Sequence, residues 1–217
     1  MLNATKILIK KLPVALAVST LFAVGSVNAA DFGFSGNIAN HNDVIQINFS
    51  LASAATNVAV WTDYFMNAVN FDPITSVWAQ SGSDYSLVGQ NDDNASIRPG
   101  QTYYDSGLTF ASLAAGNYLF TIGTYANFAS GSLLSQGFRY DGQTPISLST
   151  WCQPASNCGM GTFYNVHLSG VDSAQNNTPG TPVSAVPEPE TYAMLLAGLG
   201  FIGFIGFMAR RRDDINV

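Results

Sequence analysis

Between residues 44 and 51 the chain alternates without a break. Ile45, Ile47, Phe49 and Leu51 fall on one side, and Gln46, Asn48 and Ser50 on the other. A side-chain period of two belongs to a strand with one face in a core and the other in water, and a helix would scatter the same residues around its circumference. Residues 57 to 64 repeat the pattern, with Val58, Val60 and Thr62 opposed to Ala59, Trp61 and Asp63. Further β-rich segments run from Ile74 to Ala79, Tyr85 to Gly89, Thr102 to Phe110, Asn117 to Tyr125, Gly137 to Tyr140 and Phe163 to Val171. Turn formers separate them: Ser81-Gly82-Ser83-Asp84, Asn91 to Asn94, Arg98-Pro99-Gly100, Ala115-Gly116-Asn117 and Asp141-Gly142. No helical period of useful length lies between the two ends of the chain. Short strands with turns at this spacing predict an all-β fold, an antiparallel β-sandwich or jelly roll.

The two ends obey other rules. Lys6, Lys10 and Lys11 precede an apolar run from Leu12 to Val24, and Val27-Asn28-Ala29 offers small residues at the cleavage-determining positions. This is the layout of a signal peptide, with cleavage expected after Ala29 so that the mature chain starts at Ala30. At the other end, Val186-Pro187-Glu188-Pro189-Glu190 is followed by 18 uncharged residues from Tyr192 through Ala209, then Arg210, Arg211 and Arg212. That run is at the short end of what crosses a bilayer, where ~20 helical residues cover ~30 Å. Arginines directly after it place the C-terminus in the cytoplasm and everything upstream outside. Gly198, Gly200, Gly203 and Gly206 leave one side of such a helix small, but not in the GxxxG dimer spacing.

A short Pro-Glu motif, one transmembrane helix and a basic end, in that order, resemble the PEP-CTERM sorting signal. The resemblance implies a partner, an exosortase-type membrane protease of Gram-negative bacteria. It also implies a route: export across the inner membrane, transient anchoring through the C-terminal helix, then processing and delivery to the cell surface or beyond. The chain therefore divides into a signal peptide (1–29), a β-sandwich domain (30–171), a linker rich in Asn, Thr, Pro and Ser (172–185), and a sorting signal (186–217) with its helix at 192–209.

Charge narrows the function of the central domain. Every lysine lies in the signal peptide, and Arg98 and Arg139 are the only cations between residues 30 and 185, against ten aspartates. With no basic patch to hold phosphates, nucleic acid is excluded as a partner. Cys152 and Cys158, the only cysteines, are separated by five intervening residues, and in an oxidising exported setting such a pair is expected to form a local disulfide. Zinc would need further ligands, and a redox motif would prefer CxxC.

Four short stretches go beyond pattern: Phe71-Asp72-Pro73-Ile74 to Trp78, Gly89-Gln90-Asn91-Asp92-Asp93, Tyr104-Asp105-Ser106-Gly107-Leu108, and Leu113 to Tyr118. In this order they resemble the small β-sandwich domains of many PEP-CTERM proteins, themselves similar to the bacterial pre-peptidase C-terminal domain. The resemblance covers residues 43 to 140 and implies a non-catalytic accessory or surface domain. Residues 145 to 171 do not obviously belong to it.

Within those stretches Asp72, Asn91, Asp92, Asp93 and Asp105 offer only oxygen ligands, the kind calcium selects, at turns that could meet at one end of a sandwich. The competing reading has each side chain cap its own turn, accepting backbone N–H groups, and this commoner role is the expected one. No resident cofactor is otherwise implied. His41 and His167, the only histidines, sit in no nucleophile or metal motif, and His167 falls in an alternating strand where a structural imidazole is expected. Catalysis is not expected. Two roles compete: a structural or adhesive component of an extracellular polysaccharide matrix or biofilm, and a carbohydrate-binding module. For the second, Trp61, Trp78, Trp151, Tyr85, Tyr103 and Tyr104 are candidate platforms for sugar rings, with Trp61, on the polar side of its strand, the best placed to be exposed. Buried rings favour the structural role.

Overall fold

The computed structural model describes residues 30–154 and 157–178. The expected signal peptide, the membrane helix and the sorting signal lie outside them. The strands are β1 (Ala30–Asn37), β2 (Ile45–Leu51), β3 (Ala55–Thr62), β4 (Pro73–Ser81), β5 (Asp84–Asn91), β6 (Gly107–Leu113), β7 (Gly116–Thr124), β8 (Phe163–Val171) and β9 (Ser173–Asn176). One sheet has the order β1-β8-β3-β6 and the other β5-β4-β7-β2-β9. Every strand pairing is antiparallel. The domain is a two-sheet antiparallel β-sandwich.

The alternation in β2 is realised residue by residue: Ile45, Ile47, Phe49 and Leu51 are buried and the residues between them are half-buried. With Phe120 and Ile122 of the neighbouring strand β7 they pack in one core with Val58 and Val60 of β3 and Val166 and Leu168 of β8, which belong to the other sheet. Phe49 stacks on Tyr118 with ring centroids 5.0 Å apart. Pro73 opens β4, where its missing N–H costs the ladder least. The β4–β5 turn is the one read from Ser81-Gly82-Ser83-Asp84: Ser81 pairs with Asp84, and Gly82 takes a φ of 63°.

Three expectations are corrected, and one strand is new. β6 begins at Gly107 rather than Thr102, because Thr102 to Ser106 fold as a turn around the Asp105 carboxylate. Residues 137–140 form no strand; they follow a 3₁₀ turn, Leu134–Gln136, and Asp141 Oδ2 accepts the Phe138 N–H. Ser173–Asn176, read as the start of a linker, pairs with β2 as β9. β1, which sequence did not announce, pairs with β8 from its first residue, Ala30, directly after the expected cleavage point.

The long connection from β7 to β8 closes over the core. Leu148 is fully buried, and Tyr140, Trp151 and Met160 join the same cluster. His41 lies against the rings of Tyr140 and Trp151, each 5.2 Å away. Cys152 and Cys158 are joined by a disulfide. The loop it closes is flanked by backbone hydrogen bonds from Gln153 N to Asn157 O (2.8 Å) and from Gly159 N to Trp151 O (3.0 Å). Residues 145 to 171 are thereby part of the sandwich and its cover.

Candidate metal centre

Asp72 ends the approach to β4, and Asp92 and Asp93 directly follow β5, the neighbouring strand. Adjacent strands bring their same-end turns together, and here one carboxylate oxygen from each of the three lies within 4.8 Å of the other two. They line a cavity of about 150 Å³ with Tyr104, Tyr125 and Gln153. Asp72 is 4% exposed and Gln153 is 5% exposed. Gln153 Nε2 donates to Asp72 Oδ2 (3.1 Å), whereas Asp72 Oδ1, Asp92 Oδ1 and Gln153 Oε1 are buried without any hydrogen-bond partner. Three orphaned acceptors at one cavity are unusual, since buried oxygens normally find a donor.

The electrostatics are correspondingly strained. Burial raises the Asp72 carboxyl to about 7; the Gln153 hydrogen bond opposes this, and the charges of Asp92, Asp93 and Asp105 add to it. Asp92 rises to about 6 through burial and then through Asp93, and burial also raises Asp93. No protein cation offsets these charges: among the described residues, the ion pair formed is His167–Asp63.

The other two expected acidic-turn residues do different work. Asp105 is fully buried, and its two oxygens accept hydrogen bonds from Thr62 Oγ1, Tyr64 N, Phe65 N, Thr102 N and Thr102 Oγ1. Its lone pairs are committed to holding turns, the role expected of such residues. Asn91 Nδ2 donates to Gly107 O (3.0 Å) and Asp93 O (3.3 Å), tying β5 to β6. Sequence reasoning missed Gln153. A neutral amide beside a cysteine carries no ligand signature, and only the disulfide hints that its loop is held in place. A roomier groove of about 590 Å³ includes Asp43 and Asp141. Each of those carboxylates caps a local turn, Asp43 for Ala39 and Asn40 and Asp141 for Phe138.

The proposed sugar platforms are placed as follows. Trp61 is buried at 8% exposure, contrary to the alternation rule, because the β5–β6 connection folds over that side of β3. The Arg98 guanidinium lies 5.0 Å from the Trp61 ring centre on this side, and the His167 ring stacks on it at 5.1 Å. Trp78 is fully buried and Trp151 is buried. Tyr85 and Tyr104 are half-buried, and Tyr103 is exposed.

His167 Nε2 sits 2.9 Å from Asp63 Oδ2, and Asn165 Nδ2 donates to Asp63 Oδ1 at 2.7 Å. Burial pushes the Asp63 carboxyl up, but the His167 hydrogen bond and charge and the Asn165 hydrogen bond outweigh it, leaving it below its ordinary value. A depressed carboxyl contributes stability that is present above the unfolded pKa, about 4, and is lost as pH falls through the folded value. Asp63→Asn should therefore flatten the decline in stability below about pH 4, as read by urea denaturation across that range. An acid decline as steep as that of the parent would contradict this assignment.

Comparison with known proteins bears on the end of the chain. Residues 185–212 match a family model described as the PEP-CTERM protein-sorting motif. The chain carries a PEP-CTERM sorting signal. A PEP-CTERM signal implies an exported, surface-associated protein that an exosortase processes. The match spans Pro187, Glu188, Pro189 and the three arginines. No curated protein sequence matches the chain. Among solved structures, the mitogen derived from Yersinia pseudotuberculosis is similar at 11% identity and a TM-score of 0.38, covering 71% of this chain and 99% of that one.

Proposed function

We propose that this PEP-CTERM protein is a non-catalytic structural or adhesive component of the extracellular polysaccharide matrix, released from its anchor near Pro187-Glu188-Pro189. The observation that carries this reading is the burial of all three tryptophans, Trp61, Trp78 and Trp151. Sugar-binding platforms need large flat rings open to solvent, and the largest rings of this domain are spent on packing. The exposed Tyr103 is tilted 59° from Tyr104 at 4.3 Å, so the two do not make a coplanar platform. The histidines support a non-catalytic domain. His41 contacts Gln143 and the Ile146 N–H, and His167 is held on Asp63, so both imidazoles serve packing and turns.

The test is fractionation of producing cells, followed by mass spectrometry of the protein and calorimetry with oligosaccharides cut from the producer's own matrix. The protein is expected in the matrix fraction, lacking residues 1–29 and the tail after the Pro-Glu motif, with no saturable oligosaccharide binding. Recovery with Arg210 to Arg212 intact in a strain that has its exosortase would reject the processing. Saturable binding abolished by Tyr103→Ala would replace the structural role with a carbohydrate-binding module.

A further inference from the structure

We propose that Asp72, Asp92, Asp93 and Gln153 form a calcium site, with the side-chain oxygen of Gln153 as its fourth protein ligand. Four features carry it. Carboxylate oxygens of the three aspartates lie within 4.8 Å of one another. Ligands at 2.3–2.6 Å from one calcium ion stand at most about 5 Å apart, so this spacing is compatible with one ion shared by all three. The Gln153 amide is nine-tenths buried, on a different segment from the aspartates. Its nitrogen donates to Asp72 Oδ2, and its oxygen is buried without a partner on a residue that lines the same cavity. Asp72 Oδ1 and Asp92 Oδ1 are orphaned with it, which makes three acceptors and no donor. A divalent cation satisfies these acceptors together and offsets the carboxylate charge, which neutral water does not.

The donor set also selects the ion. Three carboxylates and an amide are hard oxygen ligands with no nitrogen or sulfur, which disfavours zinc and copper. Magnesium is usually held by one or two carboxylates with several retained waters, whereas calcium accepts irregular shells of six to eight oxygens from protein and solvent. A divalent cation also offsets most of the negative charge that three neighbouring carboxylates gather here. The fourth ligand comes from the loop closed by Cys152–Cys158, so the disulfide holds one wall of the site.

The experiment uses the full chain purified in detergent and terbium as a calcium probe, excited through Tyr104 and Tyr125, which line the cavity. Saturable terbium emission is expected, displaced by calcium in the range of about 0.1–1 mM found for extracellular modules, and by magnesium only at much higher concentration. Calcium at tenfold its Kd should raise the melting temperature by about 3–6 °C over chelator. Asp93→Asn should weaken calcium about tenfold while leaving the melting temperature in chelator unchanged or higher, because it relieves repulsion. Gln153→Met should also weaken calcium severalfold. Melting curves that coincide in calcium and in chelator would overturn the site. So would terbium displacement that neither variant changes, or a Gln153→Met protein that binds calcium as tightly as the parent.

Discussion

Asp105→Ala is expected to destabilise the domain by about 4 kcal/mol, a large part of the 5–15 kcal/mol that holds a typical domain folded. The carboxylate is fully buried, and three of its five hydrogen bonds come from backbone N–H groups, those of Tyr64, Phe65 and Thr102. Alanine leaves these donors without a partner in a place water does not reach, at about 1–3 kcal/mol each before relaxation. The hydroxyls of Thr62 and Thr102 lose the same acceptor. Asp105→Asn should recover only part of the loss, since the amide presents a donor where an acceptor is needed. Urea denaturation of both variants measures the effect, and a loss below 1 kcal/mol for alanine would show that the turns around Asp105 hold without it.

Trp78→Ala should cost a comparable amount, about 4 kcal/mol, within the range for large aromatic side chains removed from cores. The indole is fully buried, donates from Nε1 to Thr121 Oγ1 at 2.9 Å, and meets the edge of Phe138 at 6.0 Å. The substitution opens a cavity and strips the Thr121 hydroxyl of its donor. Denaturation should report a lower midpoint with an unchanged slope, the signature of lost stability rather than a changed unfolded state. A variant as stable as the parent would make Trp78 dispensable to the core and reopen a role for its ring in binding.

Sequence disclosed the core better than the edges. β2 was legible because it is half-buried on a single face, so its side chains carry the period directly. Trp61 was misread by the same rule, which knows only one neighbour per face. A loop with Arg98 at its tip makes the polar side of β3 a second interior. β1 and β9 are edge strands with few apolar residues: β1 gives Phe34 to the core and Phe32 to its margin, β9 only Ala174, and the main-chain pairing that completes them leaves no mark on side-chain order. Of the acidic turns, composition and turn position pointed to Asp72, Asp92 and Asp93 as oxygen donors, but only the strand order β5-β4 brings them together. The same composition could not separate them from Asp105, which has identical chemistry but is surrounded by donors. Gln153 had no signal at all, because its place depends on a connection of some forty residues folding back over the end of β4.

The last paired strand is also the mechanical link to whatever lies beyond Thr178. Four residues of β9 rest on the flank of β2, from Ser173 opposite Ser50 to Asn176 opposite Ile47. Asn177 N to Gln46 O and Gln46 N to Thr178 Oγ1, both 2.8 Å, extend the seam, and Asn176 Nδ2 grips the Tyr164 hydroxyl at 2.9 Å. A pull on the chain beyond Thr178 meets this short seam first. β2 itself stays clamped by seven residue pairs to β7, with its apolar face in the core. Next to its exit from the domain the chain is thus held by a ladder of four pairs, against seven behind it.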